Sequence, residues 1–300
     1  MLVALALLAF GQTTIDLKAV ATVKHPPIGE MSGIVQSRTY RGVFWVHNDS
    51  GDSARIFPIK SDGTLIKPPY ETDFWVNTPE EGKKEWPGIK IVDAHNVDWE
   101  DIAIDRDILY VSDLGNNGNA RRDLGVYVIP EPNPNATGET RSLKFLPIKY
   151  PDQTTFPSAV WHFDCEAIFV LKGKLHIITK HRKDGNFAVP EDSAKLYRLE
   201  TAYTDKPNVL KKIDTREGLG GWVTAADLSP NGKTLAVLCN APVASIWFFD
   251  LQRTGDGMLN APSKRILLKN ARQAEAICFE NDESVLVTNE QRDIFRVAAP

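Results

Sequence analysis

The sequence predicts an all-β chain folded as a five-bladed β-propeller, closed into a ring by a strand from its N-terminus. Two observations carry that prediction. A strand–turn–strand pattern recurs five times, its second strand reading FWVHND at 44–49, LYVSDL at 109–114, LHIITK at 175–180, LAVLCN at 235–240 and VLVTNE at 285–290. A third strand then places an aromatic at one equivalent position, Phe57, Tyr127, Tyr197, Trp247 or Phe295, each preceded by Ile, Val or Leu. Self-similarity at this period marks a repeat architecture, in which each unit buries its apolar face only against its neighbours.

Taken in order, the first strands are anchored on Ile34, Ile102, Ile168, Leu228 and Ile277, at spacings of 68, 66, 60 and 49 residues. A constant core with variable outer loops is how propeller blades vary. The fourth repeat turns through Ser229-Pro230-Asn231-Gly232-Lys233, where proline presets φ and Asn-Gly tolerates positive φ. Outer strands are expected near 89–92, 143–150, 209–214 and 264–269. The fifth repeat ends at Pro300 without one, so residues 14–23 (TIDLKAVATV) are expected to supply it and remove an open edge. Six blades are the alternative, with the extra blade in residues 62–86; the Pro, Glu and Lys content there reads better as an inserted loop.

Three hundred residues, 42% of them hydrophobic, suffice for one all-β domain over residues 12–300. A net charge of −4 offers no basic field for nucleic acid. No stretch approaches the run of about 18 apolar residues that spans a bilayer. Residues 1–11 read as a signal peptide lacking its basic start, with Ala9 and Gly11 placed for cleavage. The chain is therefore expected to be secreted or periplasmic, and a monomer. Cys165, Cys239 and Cys278 fall on separate apolar strands and read as small buried hydrophobes rather than as a disulfide.

In a propeller, residues just before the first strand and just after the second emerge on one face of the disc, and the reactive side chains concentrate there. Ahead of the first strands stand Glu30, Asp98 with Glu100, Asp164 with Glu166, and Glu275. After the second strands stand Asn48-Asp49, Asp113 with Asn116, Lys180-His181, Asn240 and Asn289-Glu290. Carboxylates crowding one mouth repel unless a cation, hydrogen bonds or raised pKa values relieve them. Ca²⁺ accepts six to eight oxygens in irregular geometry and fits this set; the histidines keep Mn²⁺ or Zn²⁺ open. The competing reading makes each Glu a packing device bonded to the backbone of the next blade. His95 and His162 lie in loops beside the repeat carboxylates, where a general base could stand, whereas His25 and His176 read as structural. Arg55, Arg121, Lys180 and Arg182 lie on the same face and could bind an anionic substrate, or could simply balance the acids. No G-x-S-x-G elbow, P-loop or H-E-x-x-H is present.

The run DWEDIA at 98–103, LYVSDLGNN at 109–117, Arg121 and VYVIPEP at 126–132 resembles secreted bacterial propeller proteins. Ser32-Gly33-Ile34, HNDSG at 47–51 and DCEAI at 164–168 extend the resemblance. The groups it is most similar to are the phytase-like (esterase-like) propellers and, more remotely, the calcium-dependent lactonase and gluconolactonase propellers. That resemblance implies Ca²⁺ in the channel mouth, held at the matching positions Glu100, Glu166, Asn240, Asn289 and Asp49. Ala226, where the other repeats place Glu, and Lys180, where an amide is expected, depart from the pattern. Two functions remain open: metal-assisted hydrolysis of a small ester, lactone or phosphoester, or a non-catalytic module binding a protein or glycan ligand.

Overall fold

The computed structural model describes residues 13–69 and 85–300, and within them five sheets form the blades of a propeller. From the channel outwards, blade 1 is Met31–Gln36, Phe44–Asn48, Arg55–Ile59 and Ile89–Ile91. Blade 2 is Trp99–Asp105, Ile108–Asp113, Gly125–Pro130 and Lys144–Lys149. Blade 3 is Trp161–Leu171, Lys174–Arg182, Ala194–Arg198 and Lys211–Arg216. Blade 4 is Gly221–Leu228, Thr234–Pro242, Ser245–Asp250 and Ser263–Lys269, and blade 5 is Ala274–Asn281, Ser284–Asn289, Asp293–Ala298 and Ala21–Thr22. Each inner strand packs beside the next, and Ala274–Asn281 returns to Met31–Gln36 to close the ring. The signal-peptide residues and most of the segment considered for a sixth blade lie outside the described residues. Among the described residues, no helix is long and apolar enough to cross a membrane.

The strand ladders put the five aromatics on the equivalent rung of each blade. Reading outwards, the rungs are Ile34–Val46–Phe57, Ile102–Val111–Tyr127, Ile168–Ile177–Tyr197, Ala226–Val237–Trp247 and Ile277–Val287–Phe295. The fourth rung corrects the expected anchor: Ala226, not Leu228, stands opposite Val237, and Leu228 closes the hairpin against Leu235. Matching on side-chain bulk favoured the leucine, whereas the hydrogen-bond ladder counts residues.

Closure is more elaborate than one strand. Thr13–Asp16 pairs in parallel with Ser263–Lys269 as a fifth strand of blade 4, and Ala21–Thr22 pairs antiparallel with Asp293–Ala298 of blade 5. Between them Leu17 is buried with Ala225, Leu238, Ile277 and Phe295. The N-terminal segment therefore covers two edges and staples two blades. Parallel pairs also join Glu139–Thr140 of the blade 2 connection to blade 1, and Asn208–Val209 of the blade 3 connection to blade 2.

Polar clamps tie the inner strands together. Ser32 Oγ donates to Glu100 O (2.9 Å), and Thr224 Oγ1 donates to Ala274 O (3.1 Å). Ile168 N donates to Asp101 (2.8 Å), and Phe279 N donates to Asp227 (2.7 Å). Bonds from one blade to the next backbone are thus made by serine, threonine and these two aspartates. All three cysteines are free and buried.

Candidate functional site

A β-bulge interrupts each inner strand two residues ahead of the aromatic rung, at Ser32, Glu100, Glu166, Thr224 and Glu275. A bulge leaves one residue out of the ladder and re-aims its side chain. Repeated in register, it projects one side chain per blade towards the channel mouth. Two residues earlier on each blade stand Glu30, Asp98, Asp164, Trp222 and Gln273. Three residues beyond the rung on each second strand's course stand Asp49, Leu114, Lys180, Asn240 and Glu290; Lys180 and Asn240 lie within strands that run on further than the sequence suggested, and the other three lie just past theirs. These columns enclose a cavity of about 370 Å³ with Asp49, Glu100, Glu166, Lys180, Trp222 and Glu290 in its wall.

The mouth is lopsided. On blades 1 to 3, ligand atoms of Asp49, Asp98 and Glu100 lie within 4.8 Å of one another, as do those of Glu100, Asp164 and Glu166. Asp164 and Glu166 have cations: Arg182 bonds Asp164, and Lys180 Nζ lies 2.8 Å from Glu166. Asp164 also accepts Asn116 N (2.6 Å). Glu100 has none of this. It is buried, and among the described residues no donor reaches its carboxylate. Burial and then the charge of Glu166 push its pKa well above the usual range. Burial, with Asp164 and Asp49 adding to it, raises Asp98 to about 6. Glu275 is raised to about 7 by burial, against the pull of Lys180. Glu166 rises to about 8, because burial outweighs Lys180. An unpaired carboxylate in such a place must either take a proton or meet a cation.

Backbone and polar braces set this geometry. Asn96 Nδ2 donates to Asp49 O (2.8 Å) and its Oδ1 accepts Trp99 N (3.0 Å), joining the blade 1 loop to the blade 2 entry. Asp98 N donates to Asp113 (3.1 Å), which Arg121 holds at 3.0 Å. Arg121 also donates to Gly115 O (2.8 Å). A Cβ on Gly115 would overlap the carboxylates of both Glu100 and Asp98. The cradle is therefore shaped by the lack of a side chain there.

Of the residues singled out from sequence, Glu100, Glu166, Glu275, Asp49, Asn240 and Lys180 line the cavity. Asn289 stands one residue behind the lining column; its amide donates to Ala271 O and its oxygen accepts Asp293 N, and Glu290 faces the cavity instead. Asn48 and Asp113 occupy the same rank as Asn289 and brace the chain ahead of their own inner strands. Arg182 is buried on Asp164, Arg121 braces the blade 2 loop, and Arg55 binds Asp52, Pro27 O and Pro87 O at the blade 1 rim. His95 is exposed, its backbone N–H on Tyr127 Oη. His162 lies within the strand Trp161–Leu171 rather than in a loop, because that inner strand starts earlier than its apolar run, and pairs with Glu191 (2.7 Å); neither histidine lines the cavity. Trp222, Gln273 and Arg272 line it without having been singled out. Anchoring the fourth repeat on Leu228 hid Trp222; with Ala226 as anchor it falls in the column of Asp98 and Asp164.

No family model matches the chain, and no curated protein matches it in sequence. Among solved structures, a gluconolactonase from Xanthomonas campestris is 12% identical over 95% of this chain and 80% of that one, with a TM-score of 0.43. A chain of the mitotic checkpoint complex is 9% identical over 100% and 99%, with a TM-score of 0.45. The C-terminal WD40 domain of Sif2 is 12% identical over 90% and 70%, with a TM-score of 0.34. Likenesses this distant carry no information about the reaction.

Proposed function

We propose that the channel mouth binds a divalent cation, Ca²⁺ first among them, and uses it to hydrolyse a small ester, lactone or phosphoester. The observation that carries this reading is Glu100: a buried carboxylate that no donor reaches among the described residues, facing four further acids. Asp49, Asp98 and Glu100 supply the all-oxygen donor set a hard cation takes. The alternative role for the repeated Glu, bonding the next blade's backbone, is already filled by Ser32, Thr224, Asp101 and Asp227. A bound cation would polarise the substrate oxygen and activate water. Trp222, Asn240 and Gln273 then form the wall against which the rest of the substrate lies. Glu275, titrating near 7, suits proton transfer better than His95 or His162, which stand away from the cavity. Export, expected from residues 1–11, would place this site where free Ca²⁺ is abundant.

The second reading is a binding module for an anionic small molecule, or for a protein or glycan. It is favoured by Lys180 and Trp222, whose ammonium and ring centre lie 5.1 Å apart and offer a ligand a cationic and aromatic wall beside the acids. Hydrolysis of a panel of lactones, aryl esters and aryl phosphates, with Ca²⁺ and with EGTA, separates the two. The hydrolase reading expects Ca²⁺-dependent turnover lost in both Glu100→Gln and Glu275→Gln. Ca²⁺ binding without turnover on any substrate class would leave the binding module.

A further inference from the structure

On blade 3, away from the central cavity, a second group of metal-ligating side chains comes together. In the second strand of that blade, Ile178 packs towards blade 4 and Ile177 towards blade 2. Side chains alternate along a strand, so Lys180 and Arg182 face the blade 4 side, where Trp222 lies, and Thr179 and His181 face the blade 2 side. The His181 ring stacks on that of His162, with centroids 3.8 Å apart and planes 7° from parallel. His162 Nε2 lies 2.7 Å from Glu191 Oε2. One ligand atom from each of His162, His181 and Glu191 lies within 4.8 Å of the other two.

We propose that His162, His181 and Glu191 form a second, independent site for a transition-metal ion of the Zn²⁺ or Cu²⁺ type. Two imidazoles and one carboxylate are the donor set of an open zinc site, with a fourth position left to solvent. The same donors suit a hard cation poorly, because Ca²⁺ prefers oxygen throughout. To share an ion at the ligand–ligand edge of a tetrahedral zinc site, about 3.3 Å, the stacked imidazoles must rotate out of parallel and the 2.7 Å contact between His162 and Glu191 must open. The surroundings of His181 resemble the outer layer that orients a ligand histidine. Its Nε2 is held 2.8 Å from Thr179 Oγ1, which in turn accepts Lys195 N at 3.1 Å. Its Nδ1 meets Ser193 Oγ at 2.7 Å, the contact an arriving ion would displace. His181 is fully buried, whereas the side chains of His162 and Glu191 keep 21% and 38% of their surface, so an ion has a route in from solvent.

The test is titration of the full-length protein with Zn²⁺ by calorimetry, and with Cu²⁺ by electron paramagnetic resonance. Wild type should bind one Zn²⁺ tightly, and Cu²⁺ should show nitrogen hyperfine structure from two imidazoles. His162→Gln and Glu191→Gln should each weaken Zn²⁺ at least tenfold and simplify the Cu²⁺ spectrum, while their response to Ca²⁺ stays that of wild type. Glu100→Gln should leave Zn²⁺ affinity unchanged, since among the described residues no imidazole lines the central mouth. Zn²⁺ affinity in both blade 3 variants within threefold of wild type, or a Cu²⁺ spectrum with oxygen ligation only, would overturn the proposal. Neither outcome touches the Ca²⁺ reading of the channel mouth.

Discussion

Replacing Glu100 with Gln keeps the side chain's shape and removes its charge, so the effect on stability should reverse sign with the cation. In the metal-free protein, two ionised carboxylates no more than 4.8 Å apart repel by at least about 3.5 kcal/mol at an effective dielectric constant of 20. Protonation relieves part of that, because Glu100 is held well above the ordinary carboxylate range. The metal-free variant should therefore melt at the wild-type temperature or above it. With Ca²⁺ at a hundred times its Kd, the wild type should gain about 2.7 kcal/mol. At about 2.1 cal/mol/K of unfolding entropy per residue, a chain of 300 residues gains about 4 °C. Glu100→Gln should lose most of this gain. Thermal melts of both proteins in EGTA and in excess Ca²⁺ decide the matter. A variant that melts lower in EGTA yet keeps the full Ca²⁺ shift would refute the reasoning and return Glu100 to blade packing.

Further expectations concern the same ring. Asp98, Glu275 and Glu166 have folded pKa values raised to about 6, 7 and 8, above ordinary values of 3.8 for Asp and 4.5 for Glu. A raised folded pKa contributes stability that is complete below the unfolded value and is lost as pH climbs through the folded one. Metal-free protein should therefore melt progressively lower from pH 5 to pH 8.5, and Ca²⁺ should flatten the slope; a melt rising with pH in EGTA would contradict these shifts. Gly115→Ala drives a Cβ into Glu100 and Asp98, so its Ca²⁺ affinity should fall at least tenfold in a protein with wild-type circular dichroism. Leu17→Ala removes a buried side chain from the staple between blades 4 and 5 and should cost about 2–4 kcal/mol in denaturant unfolding; a loss under 1 kcal/mol would mean that the N-terminal segment merely rests on the ring.

The blades were legible because their signal is redundant. Five aromatics sit on the equivalent rung of each blade, and any two repeats would have aligned the others. The N-terminal closure was half legible: the composition of residues 14–23 marks a strand, but nothing local shows the chain leaving blade 4 at Asp16 and entering blade 5 at Ala21. The mouth was legible as an accumulation of acids, not as an arrangement. Which of two adjacent polar residues faces the cavity depends on a bulge, and a bulge has no residue type of its own. Asn289 and Glu290 therefore exchanged roles in the reading, and a two-residue slip in the fourth repeat concealed Trp222. Asn96 and Gly115 act through loops, where a single sequence has no period to read. Glu100 was distinguishable from a packing residue only once Ser32, Asp101, Thr224 and Asp227 were seen making the inter-blade bonds.

The measurement that bears most directly on the account is calorimetric titration of Ca²⁺ into EGTA-stripped wild-type protein at pH 7, in two buffers of different ionisation enthalpy. Ca²⁺ should bind at one ion per chain and release protons, because acids titrating between about 6 and 8 must give theirs up to receive it. Absence of Ca²⁺ binding, or binding with no proton release that persists in Glu100→Gln, would contradict a cation site at the channel mouth.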